Sequence, residues 1–431
     1  MDMDMDMARQ GLNDYFKAAI AQKVMKPAFM KEFLEPVFQK AGYREAVQPG
    51  NHPQILVVRD DAAGDFILFS PFLRELRRIY EGAQITLVCS KRNIDLARCC
   101  PYVDNIVLNG NLDSFDNATA ALRGAIDVSI DLLEYNFDLA FSPRLGINSF
   151  SMLVTYLSGA TQVVAFTNDR YSPIMGKVVE MGWDCLMTVP VPVDTIPRTD
   201  VERNLFMLEH LLKLPIANRQ LELWMTKADM DKADVLLKPL NYSSLIAAMP
   251  GSSLAMKQWP VERYVVLFKQ ILKENPNIGV VLMGGPEDKA VAKKMKKALG
   301  RRAISLAGKC SYRESAAVMS RLNMYIGNDT GLMHIAAACK VPILSVNCFP
   351  ASLGLASMSI PVRFAPYMVP SVTCMPSQAA DDCDNKHAYG CKQEDKPHCI
   401  LNVSVELVMQ GYRELLRRVT ANNKEPMFLR A

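Results

Sequence analysis

Three stretches in the second half of the chain combine small residues, hydroxyls and isolated charges, as anion-binding loops do. The loop from Pro250 to Pro260 offers backbone amides, the hydroxyls of Ser252 and Ser253 and the cation of Lys257. That set suits a diphosphate, although an exposed turn with a snorkelling lysine has the same composition. The segment Gly327 to His334 reads GNDTGLMH and enters an Ala-rich helical run. Asp329 or Thr330 can cap that helix, and the unpaired N–H groups and positive dipole end beside Gly331 can equally hold a phosphate or a sugar hydroxyl. His334 falls in the first turn, within reach of such an anion; a lone histidine is also often structural. A third loop, GGPED, carries Glu287, a carboxylate able to accept ribose hydroxyls. Far upstream, Gly64 and Asp65 follow an apolar run, and Asp65 either caps a helix or serves as a general base. The GxGxxG and GxxxxGK[ST] fingerprints of dinucleotide and P-loop sites are absent.

These loops need strands that end where helices begin. Gln54 to Arg59 reads as a buried strand, followed by a turn through Asp65 and a helix to Tyr80. Strands at 84–89, 105–108 and 138–141 continue an alternating pattern that indicates a parallel sheet. A proline-bearing connector at 191–198 precedes a helix at 201–214. A second series runs through strands at 244–249, 278–283, 304–306, 324–326 and 342–346 with helices between them. Open parallel sheets bind ligands at the carboxyl ends of their strands, where all four loops fall. The expected organisation is a helical extension at 1–50, a Rossmann-like domain at 51–240, a second Rossmann-like domain at 241–400 that holds the cysteine-rich segment 374–399, and a C-terminal helix at 401–431, which can cross back to the first domain.

Composition agrees with this division. The 431 residues exceed one ordinary core and suit two α/β domains with a cleft between them. Apolar residues at 50% and charged residues at 22% argue against disorder, and a formal net charge of +4 argues against a dedicated nucleic-acid binder. No apolar run is long enough to cross a membrane. The opening MDMDMDM lacks the basic and apolar regions of a secretory signal and reads as a start-site artefact. A reducing cytoplasm is the expected compartment. Apolar residues between Asn13 and Ala41 recur at helical spacing and either pack on the first domain or lie on the inner membrane face.

Taken in order, the first-domain GD loop, PGSS…KxWP, LMGGPED, LAGK and GNDTGxMHxAAA resemble glycosyltransferase family 9, the ADP-heptose:lipopolysaccharide heptosyltransferases, over about residues 54–350. The resemblance implies a GT-B fold, two facing Rossmann-like domains with an interdomain cleft, the domain at 51–240 binding the acceptor and the domain at 241–400 binding the nucleotide sugar. It also implies a metal-independent inverting transfer from a nucleotide diphosphate sugar, ADP-heptose foremost, to a lipopolysaccharide-core or related glycan. In these terms Asp65 is the catalytic base, Ser252, Ser253 and Lys257 contact the diphosphate, Asp329, Thr330, Gly331 and His334 contact sugar and phosphate, and Glu287 faces the nucleotide. No cofactor is required for catalysis.

Two features depart from the family. The loop before Gly64 reads Arg59-Asp60-Asp61-Ala62-Ala63, and its two additional carboxylates are unexpected beside an anionic acceptor. The segment 374–399 holds Cys374, Cys383, Cys391 and Cys399, with His387 and His398 between them, and four thiolates can hold a structural Fe or Zn ion. The spacing lacks tight CxxC pairs. Autotransporter-protein heptosyltransferases, relatives within the family, resemble this in carrying a cysteine-bound iron finger, which makes a protein acceptor the second reading. The remaining seven cysteines lie in apolar contexts as small hydrophobes. From other classes, a noncatalytic nucleotide-sugar binding protein and a GT-B-like sugar-nucleotide epimerase share the donor loops. The retained Asp65 argues against the former and the MHxAAA helix against the latter.

Overall fold

The computed structural model describes residues 2–22, 26–43, 52–110, 118–144, 149–167, 182–193, 199–353, 360–381, 383 and 396–430. The chain divides into two compact units, each built on a wholly parallel sheet. Unit 1 comprises Met1–Ala62, Pro71–Pro197 and Val201–Arg219, and unit 2 comprises Ala63–Ser70, Arg198–Asp200 and Gln220–Ala431.

Unit 1 contains β1 (Gln54–Arg59), β2 (Gln84–Cys89), β3 (Asn105–Leu108), β4 (Leu139–Ser142), β5 (Gln162–Phe166) and β6 (Val189–Val191), in the order β3-β2-β1-β4-β5-β6. That is the Rossmann order, with its switch point between β1 and β4. β1 is buried at every position after Gln54, as expected of a strand covered on both faces. The N-terminal helices Asp2–Gln22 and Pro27–Lys40 belong to this unit's core. Ala8, Leu12, Tyr15 and Ala19 fall on one face of the first, and Met30, Leu34 and Phe38 on one face of the second, all buried. They pack with Ile126, Phe150, Leu153 and Leu157. The first helix begins at Asp2, within the MDMDMDM repeat, and the apolar stripe that could have lain on a membrane is inside the unit.

Unit 2 contains β7 (Ser244–Met249), β8 (Ile278–Leu282), β9 (Ala303–Ser305), β10 (Met324–Asn328), β11 (Ile343–Val346), β12 (Ser371–Met375) and β13 (Pro426–Arg430), in the order β13-β12-β11-β10-β7-β8-β9. The winding reverses between β7 and β10. Instead of crossing back to the first domain, the helix Val405–Thr420 stays in unit 2 and buries Val408, Met409, Tyr412 and Leu415 over β11 and β12. The chain then adds β13 beside β12. Sequence order puts Ala63–Ser70 in the first domain, yet it is part of unit 2 because its helix (Ala63–Leu68) packs on the helix Gly331–Ala338. Among the described residues, no helix is long and apolar enough to cross a membrane.

Candidate functional site

The switch point of unit 2 lies where β7 delivers the Pro250–Pro260 loop and β10 delivers the turn into Gly331–Ala338. Asn328, the last residue of β10 and fully buried, clamps the two together. Its Nδ2 donates to the carbonyls of Pro250 (2.9 Å) and Gly251 (3.2 Å), while its Oδ1 accepts from Trp259 N (3.2 Å) and Tyr264 Oη (2.8 Å). All four hydrogen-bonding sites of one amide are therefore committed to holding the loop. Sequence reasoning passed over Asn328, although it stands in the GNDTG signature.

Within this frame Lys257 Nζ lies 3.0 Å from Asp329 Oδ2, and the Asp329 carboxylate raises the lysine's pKa. Thr330 begins the helix Gly331–Ala338 without a side-chain cap, so its first amides remain available to an anion. Asp65 lies in the first turn of the helix Ala63–Leu68, not in the turn expected from the sequence, and that helix meets the same helix end through the paired glycines Gly64 and Gly331. A Cβ on Gly64 would stand 2.9 Å from His334 Cδ2 and 3.4 Å from Gly331 Cα, so only a bare backbone fits. As a result the Asp65 charge is felt by both Lys257 and His334.

His334 is buried, and its Nδ1 has no hydrogen-bond partner in the structure. Burial holds its pKa below the ordinary value of 6.5, against the opposing pull of Asp329 and Asp65. A neutral ring at pH 7 follows, able to offer a ring nitrogen to a ligand. Phe364 tilts against it at 6.4 Å, and the neighbouring Arg363 forms a buried pair with Asp200 at 2.9 Å and 3.1 Å.

The GGPED loop joins the site through a residue that sequence reasoning did not choose. Asp288 is buried and accepts from Gly285 N at 2.9 Å, and a Cβ on Gly251 would fall 1.8 Å from its Oδ1. Burial raises the Asp288 pKa. Glu287 beside it is exposed and folds over Gly285. Ser252 is buried, its Oγ accepting from Leu254 N at 3.3 Å, whereas Ser253 is exposed. The structure thus gathers Asp65, Ser252, Lys257, Asp329, Thr330, Gly331 and His334 around the β7/β10 switch point, with Asp288 against Gly251.

The additional carboxylates of unit 1 are compensated within their own unit. Asp61 lies 2.9 Å from Arg59 Nε with both side chains buried, and Asp60 accepts from Ser151 Oγ at 2.7 Å with Arg144 at 3.7 Å. They form a neutralised cluster at the carboxyl end of β1, in place of the bare negative charge that the sequence suggested.

The cysteine segment is rearranged relative to expectation. Cys383, His398 and Cys399 bring ligand atoms within 4.8 Å of one another. Cys374 is not among them: as part of β12 it is fully buried under the helix Val405–Thr420, its Sγ facing Leu407 O at 3.8 Å. Its place in the sheet, with neighbours in the apolar core, directs it away from the group. Cys391 and His387 lie outside the described residues.

The sequence profile of Glycosyltransferase family 9 (heptosyltransferase) matches residues 185–349, a span that holds the whole of the Ser252 to His334 arrangement. Over this segment the chain matches glycosyltransferase family 9. Among characterised proteins it is similar to lipooligosaccharide heptosyltransferase 2 of Haemophilus influenzae, with 29% identity over 112 residues, 25% of this chain and 32% of that protein. The matched stretch therefore spans about a third of that relative. The fold extends further. A glycosyl transferase family 9 structure from Veillonella parvula aligns with a TM-score of 0.66 at 19% identity, covering 85% of this chain and 97% of the other. The ADP-heptose heptosyltransferase II structure from E. coli gives 0.60 at 17% identity, covering 85% and 99%. Both parallel sheets thus follow the GT-B architecture seen in family 9.

Proposed function

We propose that the chain is an inverting glycosyltransferase that moves a sugar from a nucleotide diphosphate donor, ADP-heptose foremost, to a lipopolysaccharide-core or related glycan. One observation carries this reading: the helix that bears Asp65 packs on the same helix end that carries the Asp329–Lys257 pair and the imidazole of His334, whose Nδ1 has no hydrogen-bond partner. A base and a leaving-group site therefore meet within one unit. The family 9 match over the donor residues supports it.

In the reaction the acceptor oxygen attacks the anomeric carbon, Asp65 takes the acceptor proton, and the bond from that carbon to the diphosphate oxygen breaks. Charge developing on the diphosphate is met by Lys257, the amides at Gly331 and neutral His334. Asp329 fixes the lysine before the donor arrives and faces the sugar hydroxyls. Asp288, whose carboxylate already lies against the loops, takes the nucleotide-side role first expected of Glu287. Lys257 and the helix end meet the leaving charge without a catalytic metal.

The deciding experiment follows ADP release from ADP-heptose with heptose-deficient lipopolysaccharide core, with autotransporter-type protein acceptors, and with none. Acceptor-dependent release with a product mass increased by one heptose supports the reading, and the productive arm separates glycan from protein acceptors. Tight donor binding without turnover in any arm would instead leave a binding protein.

A further inference from the structure

His334 is buried in the site, and at its Nδ1 no hydrogen bond directs the ring. The torsion that turns an imidazole is soft, and its two edges differ chemically, so orientation decides which nitrogen a ligand meets. Here that orientation falls to packing. One neighbour is the Gly64 backbone: a Cβ there would stand 2.9 Å from His334 Cδ2 and 3.7 Å from Nε2, so this edge of the ring lies directly against the main chain. The other is Phe364, whose ring centroid is 6.4 Å from that of the imidazole, at an interplanar angle of 60°.

Phe364 is half-buried and needs a hold of its own. Arg363 supplies it. Its guanidinium carbon lies 4.9 Å from the Phe364 ring centroid, over the ring face, as in a cation–π pair. Nε and Nη2 of the same group donate to the two carboxylate oxygens of Asp200, at 2.9 Å and 3.1 Å, and both side chains are buried. Such a fork fixes the plane of the guanidinium as well as its position, which a lysine cannot do. Asp200 is the first residue of the helix Asp200–Leu212, so the hold is anchored at a helix start. Its charge also reaches the imidazole, together with those of Asp329, Asp65 and Lys257.

We infer that Arg363 and Phe364 are positioning residues: the Asp200–Arg363 pair pins the Phe364 ring, and that ring, with the Gly64 backbone, holds the His334 imidazole in the orientation that meets an anion at the start of the helix Gly331–Ala338. Both act through His334. That the anion is the diphosphate of a nucleotide sugar rests on the function proposed above.

Calorimetry with ADP as the probe tests the arrangement. Phe364→Leu should weaken ADP binding by about tenfold, and Phe364→Tyr, which keeps a ring, should recover most of that loss. Arg363→Lys, which keeps the charge and loses the fork, should fall between the two. In a His334→Gln background Phe364→Leu should cost nothing further, because its effect passes through the imidazole. Full ADP affinity in Phe364→Leu, or an equal loss with and without His334, overturns the inference. Histidine-ring NMR of the ligand-free protein gives a readout without nucleotide, the His334 signal being assigned by its loss in His334→Gln. Burial holds the wild-type ring below 6.5, so opening its packing in Phe364→Leu should raise the midpoint toward 6.5 while the other histidines keep theirs. An unmoved His334 midpoint, or an equal shift of every histidine, likewise overturns it. Failure of the wild type to bind ADP would sink the donor reading alone, and the NMR titration would still decide the positioning.

Discussion

At the level of single residues, the site divides into groups whose place could be anticipated from the sequence and groups whose place needed three dimensions. Asp65, Lys257, Asp329 and His334 stood out because unusual side chains followed apolar strands. Asn328 and Asp288 did not, since a buried amide clamp and a carboxylate seated against a glycine look ordinary in one dimension. Asp65→Asn should lower turnover by about 10²–10⁴-fold, with calorimetric donor affinity nearly unchanged, as expected of a proton acceptor. Lys257→Ala should instead weaken ADP binding by roughly 10–100-fold, because one charge-assisted contact is lost and Asp329 is left without its cation; equal affinity of the two proteins would exclude that role. His334 supplies a pH signature. Its folded pKa lies below 6.5, so as pH falls through that value the unfolded chain takes up the proton first and stability declines with acid. In His334→Gln the urea midpoint should fall less steeply between about pH 6.5 and 5 than in the wild type.

At the level of elements, strands formed from uninterrupted apolar runs were readable, and strands with mixed composition were not. β1, β7, β8 and β10 are covered on both faces, so their sequences are nearly free of polar residues. β6 has Pro190 at its centre, and β12 reads SVTCM within a stretch conspicuous for its cysteines. Both were passed over because edge placement and helix cover, which no local pattern encodes, decide their state. The same holds for the cysteine segment: Cys374 shares it with Cys383 in sequence and is separated from Cys383, His398 and Cys399 by joining a sheet. Close loop packing gives a test at this scale. Gly251→Ala would drive a methyl into Asp288 Oδ1, and a loss of about 1–3 kcal/mol in the unfolding of unit 2 is expected from such overpacking. Denaturation followed by Trp259 fluorescence would measure it.

For the whole molecule, alternating strands and helices were enough to anticipate two doubly wound units, and their strand orders agree with that class. The spatial membership of two segments was hidden. The N-terminal helices form part of unit 1's core, so Phe38→Ala, which empties a fully buried ring site, should destabilise that unit by about 3–5 kcal/mol. A guanidinium titration monitored by a unit 1 probe should show this, and a change below about 1 kcal/mol would mean that the helices are dispensable there. The second segment, Ala63–Ser70, reaches unit 2 across more than half the chain. During synthesis it leaves the ribosome long before Gly331 does, and Phe66, Ile67 and Leu68, all buried in the finished protein, must wait uncovered for their partner helix. Closing so long a loop late in folding makes the Asp65 turn among the last parts to dock. Apolar surface left open for that interval is exposed to aggregation, and a fragment beginning at Gln220 would lack the carboxylate of Asp65 whose charge reaches Lys257 and His334.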